Sequence, residues 1–119
     1  MNLGKALEVA SATHTGMVRS HNEDAIAVDG SIGLAVLADG MGGYNAGEVA
    51  SGIAVALITS EMRQAIAKTN LHGLGQEEGD VQAVRLLKGI IAKTNSSIFE
   101  SANSQPQYAG MGTTLVVAL

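Results

Sequence analysis

Glu23 and Asp24 are adjacent in the chain, Asp39 follows a short apolar run, and Arg19 lies just upstream. Carboxylates gathered at one end of apolar strands repel one another, and burial sharpens the repulsion. A positive charge must offset it, and the candidates are Arg19 or a bound metal ion. Oxygen ligands without cysteine or paired histidine suit Mg²⁺ or Mn²⁺ rather than zinc. Glycines follow Asp39 at once, in the run Asp39-Gly40-Met41-Gly42-Gly43. Gly40 has no Cβ, so its carbonyl can approach a cation, while Gly42 and Gly43 permit the positive-φ turns that lead from strand to helix. Plainer readings compete. An Asp-Gly pair also makes an ordinary turn, and a Glu-Asp pair a solvated strand end. The same glycines could instead cradle a phosphate at the N-terminus of the next helix. No Gly-Lys-Ser/Thr follows, so this is not a Walker loop.

Whether these groups meet depends on the strands that carry them. Leu7 to Thr13, with Leu7 and Val9 alternating against Glu8, predicts a first strand. His14 to His21 is polar and turn-like. Ala25 to Val28 is a short strand closed by the hairpin signal Asp29-Gly30-Ser31. Gly33 to Ala38 is continuously apolar and reads as a strand buried on both faces. Regular structure should stop at Asp39 to Gly43. A three-residue loop at Gly30 to Ile32 pairs Asp29 with Gly33, Glu23 with Asp39, and Asp24 with Ala38. In that register Glu23 and Asp39 share a face, with Cβ atoms about 5 Å apart, and Asp24 points to the other. A slip of one residue changes the assignment.

Residues Ala46 to Lys68 predict a helix, with Val49, Ile53, Ala56, Leu57 and Ile66 roughly at helical spacing. Ala50, Ser51, Gly52 and Ala54 are small enough for close packing on a sheet. Leu71 to Gly79 reads as a loop and Asp80 as an N-cap. The next helix runs to about Ser101, with Val84, Leu87, Ile91 and Ile98 on one stripe. Asn103 to Gly112, containing Pro106, is a loop, and Thr113 to Leu119 is a β-branched strand. Strands and helices are thus segregated, which predicts an α+β fold. The pentapeptide Ile-Ala-Lys-Thr-Asn occurs at Ile66 to Asn70 and again at Ile91 to Asn95, but its flanks differ and it marks no repeat.

A chain of 119 residues holds one domain at most. With 46% apolar and 15% charged residues it is globular rather than disordered. Aromatic residues make up only 3%, so the core must come from Ala, Val, Leu and Ile. The net charge of −4, without any Lys/Arg block, argues against a nucleic-acid partner. Lack of cysteine excludes disulfides and Cys-based zinc sites. The longest apolar runs, Gly52 to Ile58 and Leu115 to Leu119, are too short to span a membrane, and Glu8 interrupts any signal-peptide core. The expectation is a cytoplasmic chain with no membrane or nucleic-acid partner. Val116 to Leu119 reads as a buried strand with nothing after it, as in a domain truncated at its C-terminus.

Arg19-Ser20-His21-Asn22-Glu23-Asp24 resembles the Arg-x-x-Asn-Glu-Asp signature of bacterial PP2C-type (PPM family) metal-dependent serine/threonine protein phosphatases. Asp39-Gly40-Met41-Gly42-Gly43-Tyr44-Asn45-Ala46-Gly47-Glu48 resembles their Asp-Gly-Met-Gly-Gly-His-x-x-Gly-Glu segment, and Gly110-Met111-Gly112-Thr113-Thr114 a later Gly-Thr-Thr segment. The three occur in the family's order and span nearly the whole chain. The resemblance implies a β-sandwich flanked by helices (αββα), of which residues 1–119 form a partial domain, the N-terminal half. It implies that Asp39 bridges two Mn²⁺ or Mg²⁺ ions. The Gly40 carbonyl would ligate one of them, Glu23 would hold the same ion through a water, and Asp24 would support. Arg19 would bind the substrate phosphate, a role that suits a planar, permanently charged fork. A metal-activated water would attack phosphorus in line. The implied partners are phosphoserine and phosphothreonine proteins, targets of a bacterial Ser/Thr kinase.

Tyr44 stands where the family often has histidine, a candidate general acid. With a reference pKa of about 10 a phenol donates poorly near neutral pH, and protonation could come instead from metal-bound water. The family's remaining metal-binding aspartates belong to a C-terminal half, so this chain by itself is expected to be weakly stable and inactive. Related stage-sporulation and stress-type phosphatases, a non-catalytic module binding phosphopeptides or a partner through Arg19, and a non-functional fragment are the competing readings. Continuation of the reading frame past Leu119 into further aspartate motifs separates them. Arg19 could also pair with Glu23 or Asp39. Glu48 is expected to be a first-turn helix residue favoured by the macrodipole. His14, His21 and His72 are expected on the surface or in loops, and Met17, Met41 and Met111 in packing.

Overall fold

The computed structural model describes residues 3–69 and 75–119. Strand β1 (Asp24–Asp29) and strand β2 (Leu34–Met41) form an antiparallel hairpin. Helix α1 (Ala46–Lys68) follows, then helix α2 (Gln76–Ser104), a 3₁₀ turn (Pro106–Tyr108), and the short strands β3 (Gly112–Thr113) and β4 (Val116–Ala118). β2 is central, with β1 along one edge and β3 and β4 along the other, all antiparallel. β3 and β4 keep one register with β2 and are parted at Thr114 and Leu115. The single strand expected over Thr113 to Leu119 is therefore one track with an irregularity in it.

The hairpin turn decides the register. Asp29 pairs with Leu34, so the turn is Gly30 to Gly33 and not the expected Gly30 to Ile32. Gly33 has φ +72° and belongs to the turn, where a side chain would be strained. Asp29 closes it as an Asx-turn, accepting from the Ser31 N–H at 3.0 Å and the Ser31 hydroxyl at 2.5 Å. Arg63 of α1 reaches the same carboxylate at 2.6 Å and ties the turn to the helix. The Ser31 hydroxyl first, and Arg63 with it, hold the Asp29 carboxyl below its ordinary 3.8. The extra turn residue slips the pairing by one, so Asp24, and not Glu23, stands opposite Asp39.

The core lies between the sheet and α1. Leu34, Val36 and Ala38 of β2 are buried against Ala54, Val55, Ile58 and Met62 of α1, with Ile90 of α2 closing the layer. Burying a side chain such as Ile58 contributes about 1.5–3 kcal/mol. The alternate residues of β2 face away from the helices, and Leu37 and Met41 are 47% and 64% exposed. The expectation of a strand buried on both faces fails for that reason: α1 packs on one face only, with α2 packed against α1. β2 also runs on through Asp39 to Met41, where regular structure was expected to stop.

Three further expectations are corrected. Residues 7–13 form no strand. Leu7 and Val9 instead lie over the hairpin turn, next to Gly33 and Gly30. α2 starts at Gln76, so Asp80 is inside the helix and Gly75 precedes it. Glu77 and Glu78 occupy its first turn, where acidic residues suit the helix dipole. The part of the expected Leu71 to Gly79 loop at 71–74, His72 included, lies outside the described residues. Met111 packs beside Ala46 and Ala50, but Met17 is 97% exposed and, like Met41, is no packing residue. α1 has the expected bounds, and Glu48 is in its first turn.

Candidate metal and phosphate site

The open end of the hairpin carries the carboxylates. Asp24 and Asp39 are direct cross-strand partners and share the face turned away from the helices. Like charges so placed destabilise a sheet unless a cation lies between or beside them. Asp39 is pinned from the far side of β2. Its carbonyl accepts the Thr114 N–H at 2.9 Å, and its own N–H donates to the Thr114 hydroxyl at 3.3 Å. Asn22 prepares the entry to β1, accepting the Asp24 N–H at 3.0 Å and donating to the Thr13 hydroxyl at 2.8 Å. The Asn-Glu-Asp run thus contains a turn former followed by two carboxylates.

Glu23 precedes β1, and its carbonyl accepts the Gly40 N–H at 3.0 Å, which places it opposite Gly40. Its side chain enters on the helix side, where Gly40 and Gly47 leave room. A Cβ on Gly40 would overlap the Gly47 carbonyl, and a Cβ on Gly47 would overlap the Glu23 Oε2 atom. Oε2 is buried and has no hydrogen-bond partner. A buried carboxylate oxygen without a donor is costly, and a divalent cation would relieve it. The donor set of carboxylates and a glycine carbonyl fits a hard cation such as Mn²⁺ or Mg²⁺. Among the described residues, however, no three His, Cys, Asp or Glu side chains converge as a complete metal cage.

A cleft of about 390 Å³ joins these groups to the preceding loop, lined by Arg19, Glu23, Asp24, Asp39 and Gly40, with His21 among the others. Arg19 is exposed and forms no ion pair with Glu23 or Asp39. Tyr44 is not part of the lining; it is 87% exposed, with φ +55°. The structure therefore brings together Arg19, Glu23, Asp24, Asp39 and Gly40 and leaves Tyr44 outside. Sequence reasoning missed that the His21 Nδ1 lies 3.3 Å from the Glu48 carboxylate, joining the loop to the start of α1. It also missed Thr114 as the residue that fixes Asp39. Thr114 lies in the recognisable Gly-Thr-Thr segment, but no local pattern signals either contact, because each joins separate segments.

One end of the helix-backed antiparallel sheet thus carries carboxylates, a glycine-rich strand-to-helix turn and an adjacent arginine, groups whose chemistry suits a divalent cation and a phosphate. Comparison with known proteins identifies the family. The family model described as protein phosphatase 2C matches residues 12–119, and the chain belongs to that family. It is 36% identical over 110 residues to the serine/threonine phosphatase stp of Listeria monocytogenes, covering 90% of this chain and 40% of that protein. It is 33% identical over 113 residues to the serine/threonine protein phosphatase PstP of Mycobacterium tuberculosis, covering 95% of this chain and 19% of that one. The crystal structure of the PstP catalytic domain in complex with two manganese ions superposes with a TM-score of 0.71 at 32% identity, over 92% of this chain and 41% of that structure. The chain thus spans between a fifth and two fifths of the relatives it matches.

Proposed function

We propose that this chain forms part of a metal-dependent phosphatase that hydrolyses phosphoserine and phosphothreonine in proteins, the products of a bacterial Ser/Thr kinase. The observation that carries the reading is the shared cleft of Arg19 with Glu23, Asp24, Asp39 and Gly40. Family membership and the relatives' activity support it. Asp39, the Gly40 carbonyl and Glu23 are the groups that would hold Mn²⁺ or Mg²⁺, with Asp24 supporting Asp39 from the neighbouring strand. The manganese found in PstP favours Mn²⁺. Two such ions, when bound, lower the pKa of water and neutralise charge on the phosphoryl oxygens. Arg19, exposed and without an acidic partner among the described residues, is available for two parallel hydrogen bonds to phosphate oxygens. Tyr44 takes no part in proton transfer. A cytoplasmic setting belongs to the same proposal, since protein kinases draw on ATP there.

The incomplete cage favours one second reading, in which the chain by itself binds phosphopeptides through Arg19 without hydrolysing them. One experiment separates the two. Mn²⁺-dependent hydrolysis of p-nitrophenyl phosphate and a phosphothreonine peptide is measured for this chain and for its natural reading frame, each with Asp39→Asn. The expected result is turnover by the full reading frame that falls about a hundredfold or more in the variant, the several kcal/mol that the metals supply. Peptide binding without turnover in either form would establish the second reading.

A further inference from the structure

Gly47 lies in the first turn of α1, next to a carboxylate that belongs to a different segment. Three observations meet there. The Glu23 Oε2 atom occupies the space that a Cβ on Gly47 would fill. That oxygen is buried and has no hydrogen-bond partner, so no donor holds it. The backbone beside it is close-packed, because Gly40 and Gly47 pack main chain to main chain, and the Gly40 carbonyl carbon lies 3.1 Å from the same virtual Cβ, so that it need give only slightly. The shape of the helix start, rather than a hydrogen bond, therefore sets where the Glu23 carboxylate can go.

We infer that Gly47 is a positioning residue for Glu23: the missing side chain is the slot that keeps this carboxylate at the cleft beside Asp39 and Gly40. This rests on the reading of Glu23 as a cation-facing carboxylate. Adding one methyl group has an unequal effect at the two glycines. At Gly40 the obstacle is backbone, which cannot move without parting β2 from α1. At Gly47 the nearest obstacle is the end of a flexible side chain, which can swing away. Gly47→Ala should thus keep the fold and misplace Glu23. Gly52→Ala on the same helix is the control, since a Cβ there meets nothing within 4 Å.

The test takes Gly47→Ala, Gly52→Ala, Glu23→Ala and the double variant Gly47→Ala/Glu23→Ala, and determines crystal structures and Mn²⁺ affinity by calorimetry. The expected structure of Gly47→Ala superposes on the native β2 and α1 with the Glu23 carboxylate turned out of its slot. Mn²⁺ affinity should fall about tenfold, as for other residues that orient a ligand. It should fall no further when Gly47→Ala is added to Glu23→Ala, and Gly52→Ala should leave it unchanged. An unmoved Glu23, or an equal loss from Gly47→Ala in both backgrounds, would overturn the inference. Absence of Mn²⁺ binding by the native chain would count against the metal reading, and the crystal structure would then decide the role of Gly47. Should Gly47→Ala fail to fold, recovery of folding in the double variant supports the inference and continued failure overturns it.

Discussion

Arg19 offers a planar guanidinium fork and stands exposed in the cleft without an acidic partner among the described residues. On the proposed function, Arg19→Ala should weaken substrate binding by about 1.5–3 kcal/mol, the worth of a hydrogen bond to a charged group. That is a rise in KM of tenfold or more. Its melting temperature should not change, because among the described residues no hydrogen bond or ion pair is lost. Steady-state kinetics on a phosphothreonine peptide, with parallel thermal denaturation, checks both halves. Asp29 presents the opposite case, a carboxylate used for structure at the far end of the hairpin. Its pKa is lowered, by the Ser31 hydroxyl first and Arg63 with it. The stability it contributes is therefore present above the ordinary value of 3.8 and is lost as pH falls through the lower folded-state value. Asp29→Asn should cost about 1 kcal/mol at pH 7 and remove that acid dependence, as read by urea denaturation across pH 2–7.

At the scale of elements, the junction of β2 with α1 governs what the chain tolerates. Gly40 meets the Gly47 carbonyl with no room for a side chain. Gly40→Ala should cost about 3 kcal/mol or more by forcing backbone apart. Gly52 sits in the second turn of α1 with open space around it. Gly52→Ala should raise stability by about 0.4–1 kcal/mol, since alanine restricts the unfolded chain and clashes with nothing. Chemical denaturation of the two variants side by side tests this contrast between glycines of one helix–strand pair. Their difference was only partly legible in the sequence. The Asp-Gly-Met-Gly-Gly run marks a tight turn, but a glycine whose missing side chain makes space for a remote carboxylate looks like any other helix glycine.

For the whole molecule, the two faces of the sheet differ. One is covered by α1, and the other presents Leu37, Met41 and Val116 at 47%, 64% and 61% exposure. Leu37 stands opposite Val116, while Asp39 parts both from Met41, and exposed apolar side chains of this kind promote association. Concentration-dependent self-association of the 119-residue chain is the expected outcome, reduced in Leu37→Lys. Sedimentation velocity over a dilution series measures it, and a monomer at all concentrations would show that this face is not sticky. Leu37 also shows why the strand was misjudged. An unbroken apolar run is the pattern of a strand covered twice, and the sequence carries no sign of which face α1 and α2 leave bare.

What the sequence alone determined was the type of the two hairpin strands and the two helices, and the chemical kind of the site residues, though not the irregular course of residues 7–13. The 3.6-residue spacing and small residues of Ala46 to Lys68 are local properties, so α1 was found with its true bounds. The acidic, glycine and arginine motifs were equally visible, because their chemistry depends on residue type and order. Only the tertiary structure decided which carboxylates face one another. One residue in a left-handed turn, Gly33, moves the partner of Asp39 from Glu23 to Asp24, and every side chain along β1 changes face with it. Register is a relation between two segments, settled by turn geometry and by packing against a helix distant in sequence. No window on a single segment contains that information.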